Sequence, residues 1–265
     1  MPVVATRRQS GKLAGILPLY VLPSERKALP IGAGTTDYLD ALGNTDGLLP
    51  AALDRLSGDV DHCDLIEIPP WSNLPQQPTA DWQASWADSS ACPVLTLPDL
   101  PSGIRRKLRM NRHRADRAGG WTVETASAAT LTECLASLVR LHQARWTAQD
   151  ETGSLDDPAV LEFWREAAPL LLEGGLLRLQ RLSIGGAVAA AIAALLAPGR
   201  IFFYLSGFDE AQAFVSPGTL LLGAMLEQAS NEGRTEAHFL RGREAYKYAW
   251  GAIDRRNRHG RFTRI

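Results

Sequence analysis

Two β-prone stretches, Val3–Arg7 and Leu13–Tyr20, flank the turn-forming Gln9-Ser10-Gly11 and predict a hairpin. Leu48–Leu56 has the pattern of a short helix, and Asp64–Ile68 (DLIEI) alternates as a strand until Pro69-Pro70 stops it. Residues 69–101 are rich in Pro, Ser, Gln and Trp without clear periodicity, so they read as a connector. Ile104–Arg117 is made of good helix formers and predicts a helix that Gly119-Gly120 ends. Trp121–Thr125 follows as a short strand.

In Thr130–Thr147 the positions Leu131, Leu135, Leu138, His142 and Trp146 recur at helical spacing. Asp157-Pro158 opens a second helix, Asp at the N-cap and Pro at the first turn, with Leu161, Trp164 and Ala168 inward and Pro169 expected to end or kink it. Three apolar runs, Leu176–Leu182, Ala187–Leu196 and Arg200–Gly207, are separated by Ile184-Gly185-Gly186 and Pro198-Gly199. The middle run is Ala-rich and helical by propensity, but the tight turns on both sides predict an antiparallel meander. Ser216-Pro217-Gly218 opens a helix with Ser216 at the N-cap, Leu221, Leu222, Met225, Leu226 and Ala229 inward, and Gly233 closing it. Glu236–Leu240 reads as a last strand. The fold class is α/β (α+β), with mixed, largely antiparallel sheets flanked by helices.

Composition adds limits. In 265 residues, 45% are hydrophobic and 22% charged, which excludes disorder and fibrous classes and leaves enough chain for a substantial core. Cys63, Cys92 and Cys134 lie far apart, with no CxxC pair and no histidine cluster near them, so neither a disulfide framework nor a metal site is expected. The longest apolar run, Ala187–Ala197, is too short to span a bilayer, and the first residues lack the apolar core of a signal peptide. A cytoplasmic location is expected. The net charge of −1 hides an asymmetry: Ile104–Arg117 and Arg241–Ile265 each carry a local +6. Two basic stretches on an acidic body suggest a localised anion site; a solvated helix face and a frayed tail are the plain alternative.

Some residues carry candidate chemistry. The start of the Ser216-Pro217-Gly218-Thr219 helix offers unpaired N–H groups and partial positive charge, which an anion or an ordinary cap can use. Tyr246-Lys247 pairs a proton donor with a point charge, or else a packed ring with a solvated amine. His142 and Trp146 share a helix face, where a histidine is more often a hydrogen-bonded core residue than a base; Arg145 beside them is an ion-pair partner or an acceptor anchor.

The stretches LHQARW (Leu141–Trp146), IGG (Ile184–Gly186), SGFDEAQAFVSPGTLL (Ser206–Leu221) and RGREAYKYAW (Arg241–Trp250) resemble the FemAB-like branch of the GNAT acyltransferase superfamily. More closely they resemble its acetyltransferase 6 group, the cellulose-biosynthesis-associated or BioF2-like acetyltransferase domains. GILPLY (Gly15–Tyr20) and GAGTTDYLD (Gly32–Asp40) resemble the group's N-terminal half. The resemblance implies two GNAT-like lobes, residues 1–98 and 99–265, the first incomplete at its start. His238 stands where relatives commonly have Asp.

The implied function is transfer of an acyl group, acetyl first, from acyl-CoA to an amine on a sugar, nucleotide-sugar, cell-envelope or exopolysaccharide precursor, with no metal. Ser216, Pro217, Gly218 and Thr219 would hold the donor pyrophosphate. Tyr246, Lys247 and Asp209 would serve the reaction, Asp209 as a carboxylate able to take the amine proton. Asp37, Tyr38, Arg105, Arg109, His142 and Arg145 would contact the acceptor. Two alternatives follow from the same resemblance: aminoacyl transfer from tRNA, with the basic stretches on the RNA backbone, and a binding protein that kept the fold without the chemistry. The unpaired N-terminal strand edge also invites a homodimer.

Overall fold

The computed structural model describes residues 1–74, 81–147 and 153–265. In chain order its elements are β1 (Pro2–Gln9), β2 (Lys12–Leu22), β3 (Lys27–Pro30), β4 (Leu42–Gly43), α1 (Leu48–Leu56), β5 (His62–Ile68), β6 (Trp82–Thr96), α2 (Ser102–Arg117), β7 (Trp121–Thr125), α3 (Leu131–Thr147), α4 (Pro158–Glu173), β8 (Leu177–Ile184), β9 (Ala187–Ala197), β10 (Arg200–Phe208), α5 (Pro217–Asn231), β11 (Glu236–His238), α6 (Ala245–Ala249) and β12 (Ile253–Arg264). They form two compact units. The first is Met1–Cys92 with Arg241–Arg243 and Asp254–Ile265; the second is Pro93–Leu240 with Glu244–Ile253. The main boundary between the units follows Cys92, and the final strand is grouped with the first unit.

In the first unit the strand order is β1-β2-β3-β5-β12-β6, with β4 on β2. β1–β2, β2–β3 and β5–β12 are antiparallel and β3–β5 parallel. The hairpin turns at Ser10 (φ 51) and Gly11 (φ 79), the paired left-handed residues that suit a two-residue hairpin. α1 sets Leu48, Leu49, Ala52, Leu53 and Leu56 into a core with Leu17, Leu19, Val21, Leu65 and Phe262.

One expectation and one alternative fail in this unit. The stretch read as connector holds β6; its residues 75–80 lie outside the described residues. Trp82 is buried and Ala84 and Trp86 pack against the same core, an alternation concealed by the small and polar residues between them. The basic tail is likewise no frayed end: β12 lies between β5 and β6.

In the second unit the order is the end of β6, then β11-β10-β9-β8-β7. β8, β9 and β10 form the expected meander, and β10–β11 is parallel. β9 is a strand despite its alanines because both its faces are covered. Ala190, Ile192 and Ala194 meet a cluster fed by α2 and α5, while Ala191 and Ala193 meet one fed by α3 and α4. Packing thereby outweighs helix propensity, which is a fraction of a kcal/mol per residue (about 0.7 at most for ordinary residues). Asp157 caps α4 by accepting from the Ala159 N–H at 2.8 Å. Pro169 does not end α4: it lies on an exposed face, where the carbonyl it leaves unbonded is open to water, and Leu161 is only partly buried.

Candidate functional site

The second unit's candidate residues gather where β10 and β11 part. Their parallel pairing covers only Arg200–Phe202 with Glu236–His238, while β10 runs on to Phe208 along β9. A register shift at Phe203/Leu205 sets Tyr204 outside the β9 ladder, and Leu240 takes a left-handed conformation (φ 61) just past β11. Aromatic rings follow the gap. Phe203 stacks on Phe239 at 5.7 Å, and Phe239 meets Tyr246 edge-on at 6.3 Å.

Phe208 ends β10 and organises the next turn. A Cβ at Gly218 would lie 3.1 Å from its ring, so glycine lets α5 start against it. The Arg145 guanidinium lies over the same ring at 5.1 Å. Arg114 of α2 donates to the Phe214 carbonyl at 2.9 Å and covers the Phe214 ring at 4.4 Å. Ser216 holds the N-cap position, but in a left-handed conformation (φ 54) with its hydroxyl donating to the Ala213 carbonyl at 3.2 Å. The expected side-chain cap is therefore not made. The Gly218 and Thr219 N–H groups lead the helix without a partner among the described residues, as first-turn donors must.

Lys247 on α6 is buried, its ammonium donating to the Glu244 carboxylate at 2.8 Å and the Leu240 carbonyl at 3.5 Å. Tyr246 is half exposed; burial of its ring and Glu244 push its hydroxyl pKa up, against a smaller pull from Arg145. It therefore keeps its proton at neutral pH. Asp209 accepts from the Ala211 N–H at 3.0 Å and Gln212 Nε2 at 3.4 Å, so its carboxylate braces the turn ahead of α5. His142 is buried and accepts from Trp146 Nε1 at 3.0 Å; burial lowers its pKa and the ring is neutral at pH 7. α3 seats there because a Cβ on Gly207 would strike the backbone of Leu141 and His142. Arg105 donates to the Leu100 carbonyl at 2.8 Å, and Arg109 is exposed.

Asp37 and Tyr38 lie in the first unit, in a separate polar cluster. Asp37 accepts from the Arg241 backbone and Nε at 3.1 and 2.9 Å. Tyr38 packs on Trp71 at 4.9 Å, and burial raises its hydroxyl pKa. Sequence reading missed the hub beside them. Glu67 is buried in a left-handed conformation (φ 51) and accepts from Ser89, Ser90 and Asn257 at 3.0, 2.8 and 2.7 Å. Asn257 also donates to the Asp37 carbonyl at 2.8 Å. Such strain in a non-glycine residue is paid for by its surroundings, and residue type gives no sign of it. Phe203, Phe208, Phe239 and Arg114 were missed as site residues too, although an aromatic at the end of each diverging strand was a usable signal.

Among the described residues no group of His, Cys, Asp and Glu is placed to hold a metal ion, the three cysteines are free and buried, and no helix is long and apolar enough to cross a membrane.

No curated protein matches the chain in sequence. Among solved structures, it is similar to the C-terminal domain of a putative lysylphosphatidylglycerol synthetase from Agrobacterium fabrum, with TM-score 0.68 and 13% identity, covering 98% of this chain and 83% of that one. It is also similar to L-PGS from Bacillus licheniformis (TM-score 0.64, 11% identity, 94% and 81% covered) and to FemX (TM-score 0.67, 11% identity, 98% and 87% covered). At these identities the likeness is one of fold. Residues 102–248, which hold the gap between β10 and β11, the start of α5 and Lys247, match the family described as Acetyltransferase (GNAT) domain, and the chain belongs to that family.

Proposed function

We propose that the second unit is an N-acyltransferase that moves an acyl group, acetyl first, from acyl-CoA to an amine on a sugar, nucleotide-sugar or cell-envelope precursor. The observation that carries this reading is the start of α5. Two unpartnered N–H groups, a glycine against Phe208 and two guanidinium groups close by make a positive, sterically open turn beside parting strands. The Gly218 and Thr219 N–H groups, carrying about half a positive charge, hold donor phosphate. Backbone N–H groups of β10 beyond Phe202 polarise the thioester carbonyl. The amine nitrogen forms the new bond to that carbon as the carbon–sulfur bond breaks; Tyr246 gives its proton to the departing sulfur, and the phenolate so formed takes the proton that the amine nitrogen sheds. Lys247 supplies fixed positive charge, while Asp209 positions the turn.

The test is a thermal-shift titration with acetyl-CoA and free coenzyme A. A ligand at a hundred times its Kd stabilises by about 2.7 kcal/mol, which moves the melting temperature by several degrees. Gly218→Val, whose side chain would fill the space against Phe208, should abolish the shift. A flat trace from folded wild-type protein overturns the acyl-CoA donor and turns the search to aminoacyl-tRNA.

A further inference from the structure

The outer face of α2 is not used by this reading. Its inner face is set by Ile104, Leu108, Asn111 and Ala115, all buried. At 100° per residue, Arg106, Arg109, His113 and Arg117 fall on the opposite side, and all four are exposed. From Arg106 to Arg117 the ridge is about 16 Å long at 1.5 Å per residue. Of the helix's other cations, Arg112 pairs with Glu227, Arg105 and Arg114 donate to carbonyls, and Lys107 is exposed.

Two large apolar side chains stand beside these arginines. Met110, on the same outer side, is 43% exposed, and Phe214, held under Arg114, is 69% exposed. In water their exposure gains nothing.

We propose that this ridge docks the protein on an anionic lipid surface. Its exposed cations meet headgroup phosphates while Phe214 and Met110 enter the boundary with the acyl chains. Because the apolar face of α2 is spent on the core, the helix lies on the surface and does not insert. The ridge is convex and carries a single aromatic ring. It therefore lacks the groove and successive stacking platforms that hold single-stranded nucleic acid.

Flotation of the full chain with vesicles tests this, and it needs neither donor nor acceptor, so its failure leaves the acyl-transfer reading untouched. The protein should float with phosphatidylcholine vesicles that contain one third phosphatidylglycerol and stay behind with pure phosphatidylcholine. Arg106→Ala and Arg117→Ala should each weaken binding on the order of fivefold, and added salt should weaken it further. Phe214→Ala should weaken binding without changing its salt dependence. No flotation at low salt, or flotation indifferent to both arginine substitutions, overturns the proposal. So does tight binding of a uridine-rich RNA oligonucleotide at the same arginines together with vesicle binding that Phe214→Ala leaves unchanged.

Discussion

The two basic stretches carry the same surplus of six positive charges, and the fold treats them in opposite ways. On β12, Arg261 makes two hydrogen bonds to Asp64 at 2.8 and 3.2 Å, Arg258 lies over Trp86 at 4.5 Å, and Arg256 is 3.9 Å from Asp88. Arg243, on the same stretch, bonds Asp254 at 3.0 Å. On α2 the outward arginines face water. A run of charge in a sequence therefore does not identify an anion site. What decides is whether the neighbouring elements bring carboxylates and rings to meet it, and the strands around β12 do.

The sharpest way to break the comparison is to remove the acid beneath β12. Asp64 is buried between Lys27 at 2.8 Å and Arg261. Asp64→Ala should cost about 3 kcal/mol in urea unfolding, the lower end for a broken buried pair, because half-exposed Arg261 can turn to water. The pH dependence has a definite sign. Burial pushes the Asp64 carboxyl up, but Arg261 and Lys27 outweigh it and hold the pKa well below the usual range. The stability from this pairing is therefore fully present above the ordinary aspartate value of about 3.9 and is lost as pH falls toward the depressed folded value. Acid titration of wild type and variant should converge in that window; parallel curves would contradict the assignment.

A smaller effect is expected at Arg258. Arg258→Ala should cost about 0.5–1 kcal/mol through the lost cation–π contact, read as the coupling in a double-mutant cycle with Trp86→Leu. The smallest belongs to α2. Arg117→Ala should change unfolding stability by less than about 0.5 kcal/mol, since nothing folded depends on it. A larger loss there would erase the contrast between the two stretches.

Much of the fold was legible because its signals are local. Asp157 and Pro158 mark the start of α4, and the turns on either side of β9 signal the strand that packing on both faces then holds against its alanines. β6 and β12 are illegible because their inward positions include Ala84, Asn257 and Gly260, which have no hydrophobic signature, while small and polar residues separate the inward ones in β6 and arginines dominate the outward ones in β12. The site was legible in position more than in role. Ser216, Gly218 and Thr219 do open α5 against the end of β10, but the Ser216 hydroxyl turns back to Ala213. The resemblance implies a proton-accepting role for Asp209, and the structure adds that its carboxylate accepts from the Ala211 N–H in the turn ahead of α5. Nothing in residue type marks Glu67, because its importance comes from a backbone angle and three hydrogen bonds from strands far from it in sequence.

β12 is read out only after the whole of the second unit, yet it fills the position between β5 and β6. During translation those two strands leave the ribosome with open edges and stay so while the intervening unit is made, exposed to pairing with other nascent chains. The second unit, contiguous apart from a short excursion, has its meander and helices to hand much earlier. A premature stop shortly before Ile253 would thus delete the middle of a sheet rather than trim an end, and the damage would fall on a unit most of which is synthesised before the second one.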